Sequence, residues 1–300
     1  MTNTPPVCNY EGSDYQRSFW DQGDREFEDL AEAIALKRLL PKSGRLLLEL
    51  GAGAGRNTRR YAGFERIVLL DYSTTQLTQA QQRLGRSDKY TYVAANIYRL
   101  PFLDQAFDAA TMIRALHHMA DASKALEQVK NVLQPGAFFI LEFANKLNLK
   151  SMLRYLTGRQ TWNPFSLEPV EFAKLNFNFH PKSVRKWLTE LDFTIQQTLT
   201  VSHFRLGLLK RICSARRLAA FDGILQPTGN LFQLTPSVFI KARRTGQIRE
   251  FTRTQDIQKL FRCPHCRGGG LYNKQDYLVC PTCNARWGMS NGIYDFRIKK

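Results

Sequence analysis

Two groups of residues in this chain have types and spacings that chemistry uses. The first is Cys263-Pro-His-Cys266 followed, thirteen residues on, by Cys280-Pro-Thr-Cys283. Two such knuckles at this separation set four thiolates for tetrahedral Zn2+, and a unit of fewer than about fifty residues needs that staple because its own core is too small. His265, inside the first knuckle, is expected to be exposed rather than a further ligand. Cys8 and Cys213 stand apart, so the cysteines point to metal in a reducing compartment rather than to disulfides.

The second group runs from Glu49 through Gly51, Ala52, Gly53 and Gly55 to Asp71. Alternating glycines after the apolar run Leu46–Leu50 let the chain turn tightly and bring backbone against a ligand. Asp71 ends a second apolar run sixteen residues after Gly55, close to the ~20-residue interval at which a strand-end acid meets ribose hydroxyls. The pair describes a nucleoside cradle. A dinucleotide is disfavoured, because Arg56 stands where that fingerprint wants its third glycine. Glu49 suits an ammonium group rather than a pyrophosphate, since a carboxylate in the turn repels phosphate and attracts a cation. His117 and His118 come after the fourth apolar run, where a second reactant would arrive. A histidine of near-neutral pKa can take a proton there, against the competing reading of a structural role; His118 is the stronger candidate.

The elements that must position these groups follow from periodicity. Strands are predicted at 45–50, 66–71, 90–94, 107–113 and 137–143, with helices at 56–62, 73–84 and 122–133, the last stopped by Gly136. This alternation specifies an α/β, Rossmann-like, doubly wound parallel sheet, with ligands beyond the carboxyl ends of its strands. Before it, residues 1–14 are expected to be mobile, and an amphipathic helix over 27–40 has an aromatic lead-in that includes Phe19 and Trp20. That lead-in is either a lid or simple packing, the second being the safer reading. After the sheet, 145–229 is longer than a crossover needs: a basic run at 146–157, a helix from Pro181, a strand at 193–204, a second basic helix at 206–221, then a last strand at 236–242. The resulting boundaries are an N-terminal arm and lid helix over 1–44, a nucleoside-binding domain over 45–245 and a linker over 246–254. A zinc ribbon over 255–300, entered by a helix from Gln255, completes the chain.

Charge is unevenly placed. The chain carries a net +17, yet residues 1–144 balance at 17 basic against 17 acidic residues, and 145–222 alone contribute +8. Such an excess favours a polyanionic partner, RNA or an acidic membrane face, against a merely soluble basic surface. No leader-like start and no apolar stretch of ~20 residues is present, so a cytoplasmic chain without a transmembrane segment is expected.

At ELGAGAG, LLDYS, AANIYRLPF, FDAATMIRALHHM and VLQPGAFFILEF, in that order, the chain resembles the class I S-adenosylmethionine-dependent methyltransferases, within the branch that includes quinone-biosynthesis enzymes. The resemblance implies S-adenosylmethionine as cofactor. Glu49, Gly51, Ala52, Gly53 and Gly55 would surround its methionine part and Asp71, beside Tyr72, would bind the ribose. Asn96, beside Ile97, would face the adenine amino group, and Ile113 and Arg114 would lie by the sulfonium. Asn96 stands where many relatives have Asp, and its amide oxygen can still accept from the adenine. The C-terminal segment is similar to small zinc-ribbon proteins that activate methyltransferases, which implies either a built-in activator, a site for a protein partner or a stabilising module. For the methyl acceptor two classes stay open: RNA, from the charge, and a small aromatic or quinone-like molecule, from the branch and the aromatic insert. The alternative function is a non-catalytic S-adenosylmethionine-binding or activating protein.

Overall fold

The computed structural model describes residues 4–14, 16–22, 24–247 and 256–297. Most of the expected linker, 248–254, and Gln255 lie outside the described residues. Helix α1 (Glu26–Leu39) leads into a run of alternating elements: β1 (Gly44–Leu50), β2 (Phe64–Asp71), α2 (Thr74–Leu84), β3 (Tyr90–Ala94), β4 (Phe107–Met112), α3 (Ala122–Val132) and β5 (Leu133–Ala144). The acceptor-side region adds α4 (Leu149–Leu156), the hairpin β6 (Val170–Ala173) and β7 (Asn176–Asn178), α5 (Pro181–Glu190), β8 (Phe193–Val201), α6 (Gly207–Ile212), α7 (Ala215–Leu225) and β9 (Ser237–Arg244). Four short strands close the chain: β10 (Tyr272–Lys274), β11 (Tyr277–Val279), β12 (Arg286–Ser290) and β13 (Ile293–Asp295).

The first five strands form a parallel sheet in which β1 lies between β2 and β4. Strands buried on both faces read as continuous apolar runs, and their side chains still divide by a period of two. Leu46, Leu48 and Leu50 enter the core shared with α3 and α5, while Leu47 enters the core shared with α1, α2 and α7. Because β1 is the point where strand order reverses, a crevice opens beyond its carboxyl end. Glycines and acids at that end are therefore placed by topology.

β9 runs antiparallel to β5, and β8 antiparallel to β9. Ala144 at the end of β5 pairs with Ser237, which pairs with Val201 at the end of β8. Hence the carboxyl ends of β5 and β8 share one edge with those of β1 and β4.

The ribbon is not a separate bead. β13 pairs in parallel with β3, Ile293 opposite Tyr92 and Asp295 opposite Ala94, so one sheet of eleven strands runs through both. Phe261 stacks on Phe102 at 5.7 Å and tilts against Tyr294 and Phe296, and Arg262 pairs with Asp104. Ribbon side chains Leu278, Trp287 and Phe296 belong to the same core cluster as Leu48.

Several expectations are corrected. The N-terminal arm over 4–14 packs instead of moving free: Val7 bridges Met119, and Glu11 holds Thr74 and Thr75. Helix α3 ends at Val132 with Leu133 already extended, and Gly136, at φ +84°, sits inside β5 rather than capping the helix. The expected helix over 206–221 breaks at Cys213–Ser214 into α6 and α7, and the helix from Gln255 is, in its described part, a 3-10 turn at Ile257–Leu260. The segment 56–62 is likewise a 3-10 turn, Thr58–Tyr61.

Candidate active site

A cavity beyond the carboxyl ends of β1, β2 and β4 is lined by Glu49, Gly51, Ala52, Gly53, Asp71, Tyr72, Ile97, Ile113, Arg114 and His118, all expected from sequence. Gly51 and Gly53 turn through φ +68° and +52°, left-handed values that glycine adopts without strain. A Cβ on Gly51 would fall 2.5 Å from that of Ala115. The Gly53 N–H donates to Asp71 Oδ2 at 2.8 Å and the Ser73 N–H to Oδ1 at 2.9 Å, which fixes the carboxylate across the glycine turn. Burial raises the Asp71 pKa, with these N–H donors acting against it.

Glu49 sits at the floor. Its Oε2 accepts from the Thr58 hydroxyl at 2.6 Å, and burial pushes its pKa up to about 8, with Thr58 and Arg56 opposing. Such a group, short of a cationic partner of its own, fits an incoming ammonium. Arg56 also lines the cavity, but its guanidinium is bound to Asp29 and Glu32 of α1. Arg114, at φ +55°, donates its backbone N–H to Glu142 Oε2 at 2.9 Å and pairs with Glu32.

Three residues singled out in the sequence lie otherwise. Gly55 is absent from the cavity wall; its φ of +71° and a would-be Cβ 2.9 Å from Leu84 make it a packing glycine under α2. Asn96 uses its Oδ1 to accept the Tyr98 N–H at 2.9 Å, while its neighbours Ala95 and Ile97 line the cavity. His117 is not on the wall; it lies against His118, ring centroids 4.0 Å apart, and burial drives its pKa well down.

His118 has both ring nitrogens engaged. Nδ1 lies 3.1 Å from the Leu175 carbonyl, which can only accept, so Nδ1 carries the proton. Nε2, 3.1 Å from the Tyr10 hydroxyl, is then the basic nitrogen. Burial lowers the His118 pKa, partly offset by the Leu175 bond, so the ring is neutral near pH 7.

Sequence reasoning missed the roof. Val7, Cys8 and Tyr10 of the arm and Trp20 line the cavity, and the Trp20 ring carries Arg56 at 3.6 Å and Arg114 at 4.9 Å. The aromatic lead-in was the only signal for this; Trp20 takes the lid position, whereas Phe19 packs under Arg25. Arg297 of the ribbon donates to the Tyr72 carbonyl at 2.9 Å and to Glu11 at 2.8 Å. Burial raises the Glu11 carboxyl, but bonds from Thr75, Arg297 and Thr74 outweigh it and bring the pKa to about 2.

In the ribbon, the Sγ atoms of Cys263, Cys266, Cys280 and Cys283 lie within 4.8 Å of one another, with Cys263–Cys283 at 3.7 Å and Cys266–Cys280 at 3.5 Å. Those two separations approach the ~3.8 Å edge of a tetrahedron with ~2.3 Å zinc–sulfur bonds. Burial raises the Cys280 thiol, but the Cys283 and Thr282 N–H groups and neighbouring thiols bring it to about 7. His265 is exposed, as expected.

A second cavity, about 790 Å³, opens off the shared edge between α4, the end of β8 and the start of β9. Its walls include Leu149, Leu153, Leu206, Phe232, Leu234 and Pro236, together with Lys150, Arg154, Arg159 and Arg205. Arg205 reaches Glu28 at 3.4 Å, one turn of α1 from the Glu32 that holds Arg114, so one lining arginine of each cavity is paired to the same helix.

Comparison with known proteins agrees with this geometry. Residues 48–141 match the family described as "Methyltransferase domain". A demethylmenaquinone methyltransferase of Clavibacter sepedonicus is 26% identical over 165 residues, 55% of this chain and 59% of that protein. A 2-phytyl-1,4-naphtoquinone methyltransferase of Trichormus variabilis is 33% identical over 171 residues, 47% of this chain and 75% of that protein. The chain thus spans less than two-thirds of the first relative and three-quarters of the second. Among solved structures, a complex between the Haloferax volcanii Trm112 methyltransferase activator and a putative methyltransferase aligns with a TM-score of 0.54 at 16% identity. That alignment covers 75% of this chain and 94% of the other, and it speaks for the fold alone. The nucleoside cradle, the doubly wound sheet around it and the match to the Trichormus protein place this chain in the class I S-adenosylmethionine-dependent methyltransferases.

Proposed function

We propose that the chain transfers the methyl group of S-adenosylmethionine to a small, apolar, aromatic acceptor of quinone-like chemistry. The observation that carries this choice over RNA is the second cavity, whose apolar walls face the same sheet edge as the cofactor cavity. That lining is mostly apolar, with Lys150, Arg154, Arg159 and Arg205 set among the apolar side chains. Relatives named for naphthoquinone and demethylmenaquinone methylation point the same way.

When bound, S-adenosylmethionine supplies an electrophilic sulfonium methyl. Glu49 would take its ammonium group and Asp71 its ribose hydroxyls. Ala52, Tyr72, Ile97 and the Asn96 region would enclose the adenosine, and Ile113 and Arg114 would lie beside the reacting end. Positioning and exclusion of water provide much of the rate for such a displacement, which is the work of the arm and Trp20 above the cavity. The acceptor must also lose a proton. His118 Nε2 is the neutral nitrogen on the wall suited to receive it, and the Tyr10 hydroxyl holds that nitrogen toward the cavity.

For the domain plan we adopt arm and lid helix over 1–44, catalytic domain over 45–245 with its acceptor-side region at 145–229, linker over 246–254 and ribbon over 255–300. The ribbon, loaded with structural zinc on its four cysteines, acts within the chain: β13 completes the sheet edge and Arg297 fixes Glu11 and Tyr72 at the cofactor cavity. The Haloferax complex pairs an activator and a methyltransferase as two chains; here the same office is internal.

Calorimetry with S-adenosylmethionine and label transfer from its methyl group test the reading. Binding that is lost in Asp71→Ala, with label passing to a demethylated naphthoquinol and not to total RNA, is expected. Absence of cofactor binding defeats the enzyme reading; label in RNA alone defeats the acceptor class.

A further inference from the structure

Among the described residues, every large hydrophobic side chain that is exposed, Tyr272 apart, lies between Leu149 and Leu234. A soluble surface scatters such side chains; a concentration of them marks something that covers it. Helix α4 is inside out by globular standards. Ser151 is its one buried residue, while Leu149, Leu153 and Leu156, spaced i, i+4 and i+7, are 53%, 54% and 71% exposed. Helix α6 is anchored by Leu209 and Cys213 against the core and by Lys210 on Glu28. Its Leu208, Arg211 and Ile212 consequently face away, with Leu208 and Ile212 about 70% exposed. Helix α4 lines the second cavity, and Leu206, immediately before α6, is also on its wall.

Charge in the two segments that carry α4 and α6 has one sign. In 145–167 and 204–234 the basic residues include Lys150, Arg154, Arg159, Arg205, Arg211 and Arg217, and the only acidic one is Asp222. Asp222 is fully buried and bound to His203 and Gln226.

We infer that this face docks on an anionic phospholipid surface, α4 and α6 inserting their aliphatic side chains at the headgroup boundary while the arginines and lysines meet lipid phosphates. Outward leucine and isoleucine among basic residues is the composition that interfacial helices use. A second copy of the chain would bring the same positive excess face to face. RNA would be met by stacking aromatics and polar groups rather than by α4 and α6 leucines. The docked face would open the second cavity toward the bilayer, on the edge the cofactor cavity shares. The docking surface stands on exposure and charge, so its failure leaves the methyltransferase reading intact.

Vesicle flotation of the full chain tests it, using phosphatidylcholine alone and phosphatidylcholine with one quarter phosphatidylglycerol. Partition onto the anionic vesicles only is expected. The pair Leu208→Asp and Ile212→Asp, outside both cavities, should weaken it about tenfold or more, and Arg211→Glu several-fold, with cofactor affinity and thermal midpoint unchanged. No partition onto anionic vesicles overturns the inference, as does partition that the Leu208/Ile212 pair leaves intact. So does a wild-type dimer that the pair makes monomeric, or RNA binding that it abolishes, where vesicles do not bind.

Discussion

The proposed placement of the cofactor's ammonium on Glu49 predicts that affinity climbs with pH. Glu49 is buried, its pKa is raised to about 8 from 4.5, and its hydrogen-bond donor among the described residues is the neutral Thr58 hydroxyl. Only the carboxylate attracts a cation, so binding must first remove a proton. With a pKa near 8 about 1% of the free protein is ionised at Glu49 at pH 6 and about 10% at pH 7, so affinity should rise roughly tenfold per pH unit over this range. Above pH 7.5 the ligand's own amine begins to deprotonate, which sets the upper limit of the test. Calorimetry at pH 6.5 in two buffers of different ionisation enthalpy should show close to one proton released per cofactor bound. Glu49→Gln should bind weakly at every pH and release none. Affinity that is flat from pH 6 to 7.5 without proton release would refute the assignment of Glu49 to the ammonium group.

The same shift has a sign in stability. An acid whose folded pKa lies above its unfolded value holds the extra proton in the native state. Its contribution is therefore complete below pH 4.5 and is lost as pH rises through 8. At about 1.4 kcal/mol per pKa unit the loss is bounded by roughly 5 kcal/mol. Glu49→Gln should accordingly raise the melting temperature of the cofactor-free protein at pH 8 while abolishing cofactor-linked stabilisation. That combination is what a site strained for its ligand produces.

Three further outcomes follow from other parts of the site. Replacing His118 with Gln should lower kcat by about 10²- to 10⁴-fold, as expected for loss of a general base, with cofactor affinity kept; an unchanged kcat assigns the ring to structure. Cys280→Ser, or strong chelation, should release one zinc per chain and lower the melting temperature, and undiminished zinc content would sink the four-thiolate site. Arg297→Ala should raise the KM for cofactor several-fold with little change in kcat, because it frees Glu11 and the Tyr72 carbonyl together; equal KM values would show that the clamp is idle.

The parallel sheet was legible because its strands are buried on both faces and so appear as uninterrupted apolar runs bounded by turn residues. The cradle was legible because Gly51, Gly53 and Asp71 lie on consecutive elements and their relation is nearly local. What escaped was set by distant contacts. Glu11 meets Thr74 and Thr75 more than sixty residues away, and nothing in the surrounding Pro- and Gly-bearing stretch shows a period. Gly136 follows a proline after a helix and reads as a stop, yet β5 starts three residues earlier and simply passes through it. The break at Cys213–Ser214 has neither glycine nor proline to announce it, and the residues on both sides of it, Leu209, Cys213, Leu218 and Ala219, pack on the same core as α1.

Least legible of all was the pairing of β13 with β3, since three residues, Ile293–Asp295, carry no sign of their partner. Its logic lies in what each side lacks. Without β13, β3 would leave its outer row of backbone groups unpaired, a template for unwanted association. Without β3, a ribbon of four short strands would rest on its cysteines and a few aromatics. Joined, the Phe296 N–H donates to the Ala94 carbonyl at 2.8 Å, the Leu103 N–H to the Leu260 carbonyl at 2.8 Å, and Phe102 and Phe261 share one core. The strand so covered, β3, ends one residue before Ala95, which lines the cofactor cavity, and β13 ends two residues before Arg297, which grips that cavity's Tyr72. The ribbon that carries the four-cysteine cluster thus meets the wall of the candidate cofactor cavity through the β13–β3 pair and Arg297, and loss of order in the ribbon has a short mechanical route to that wall.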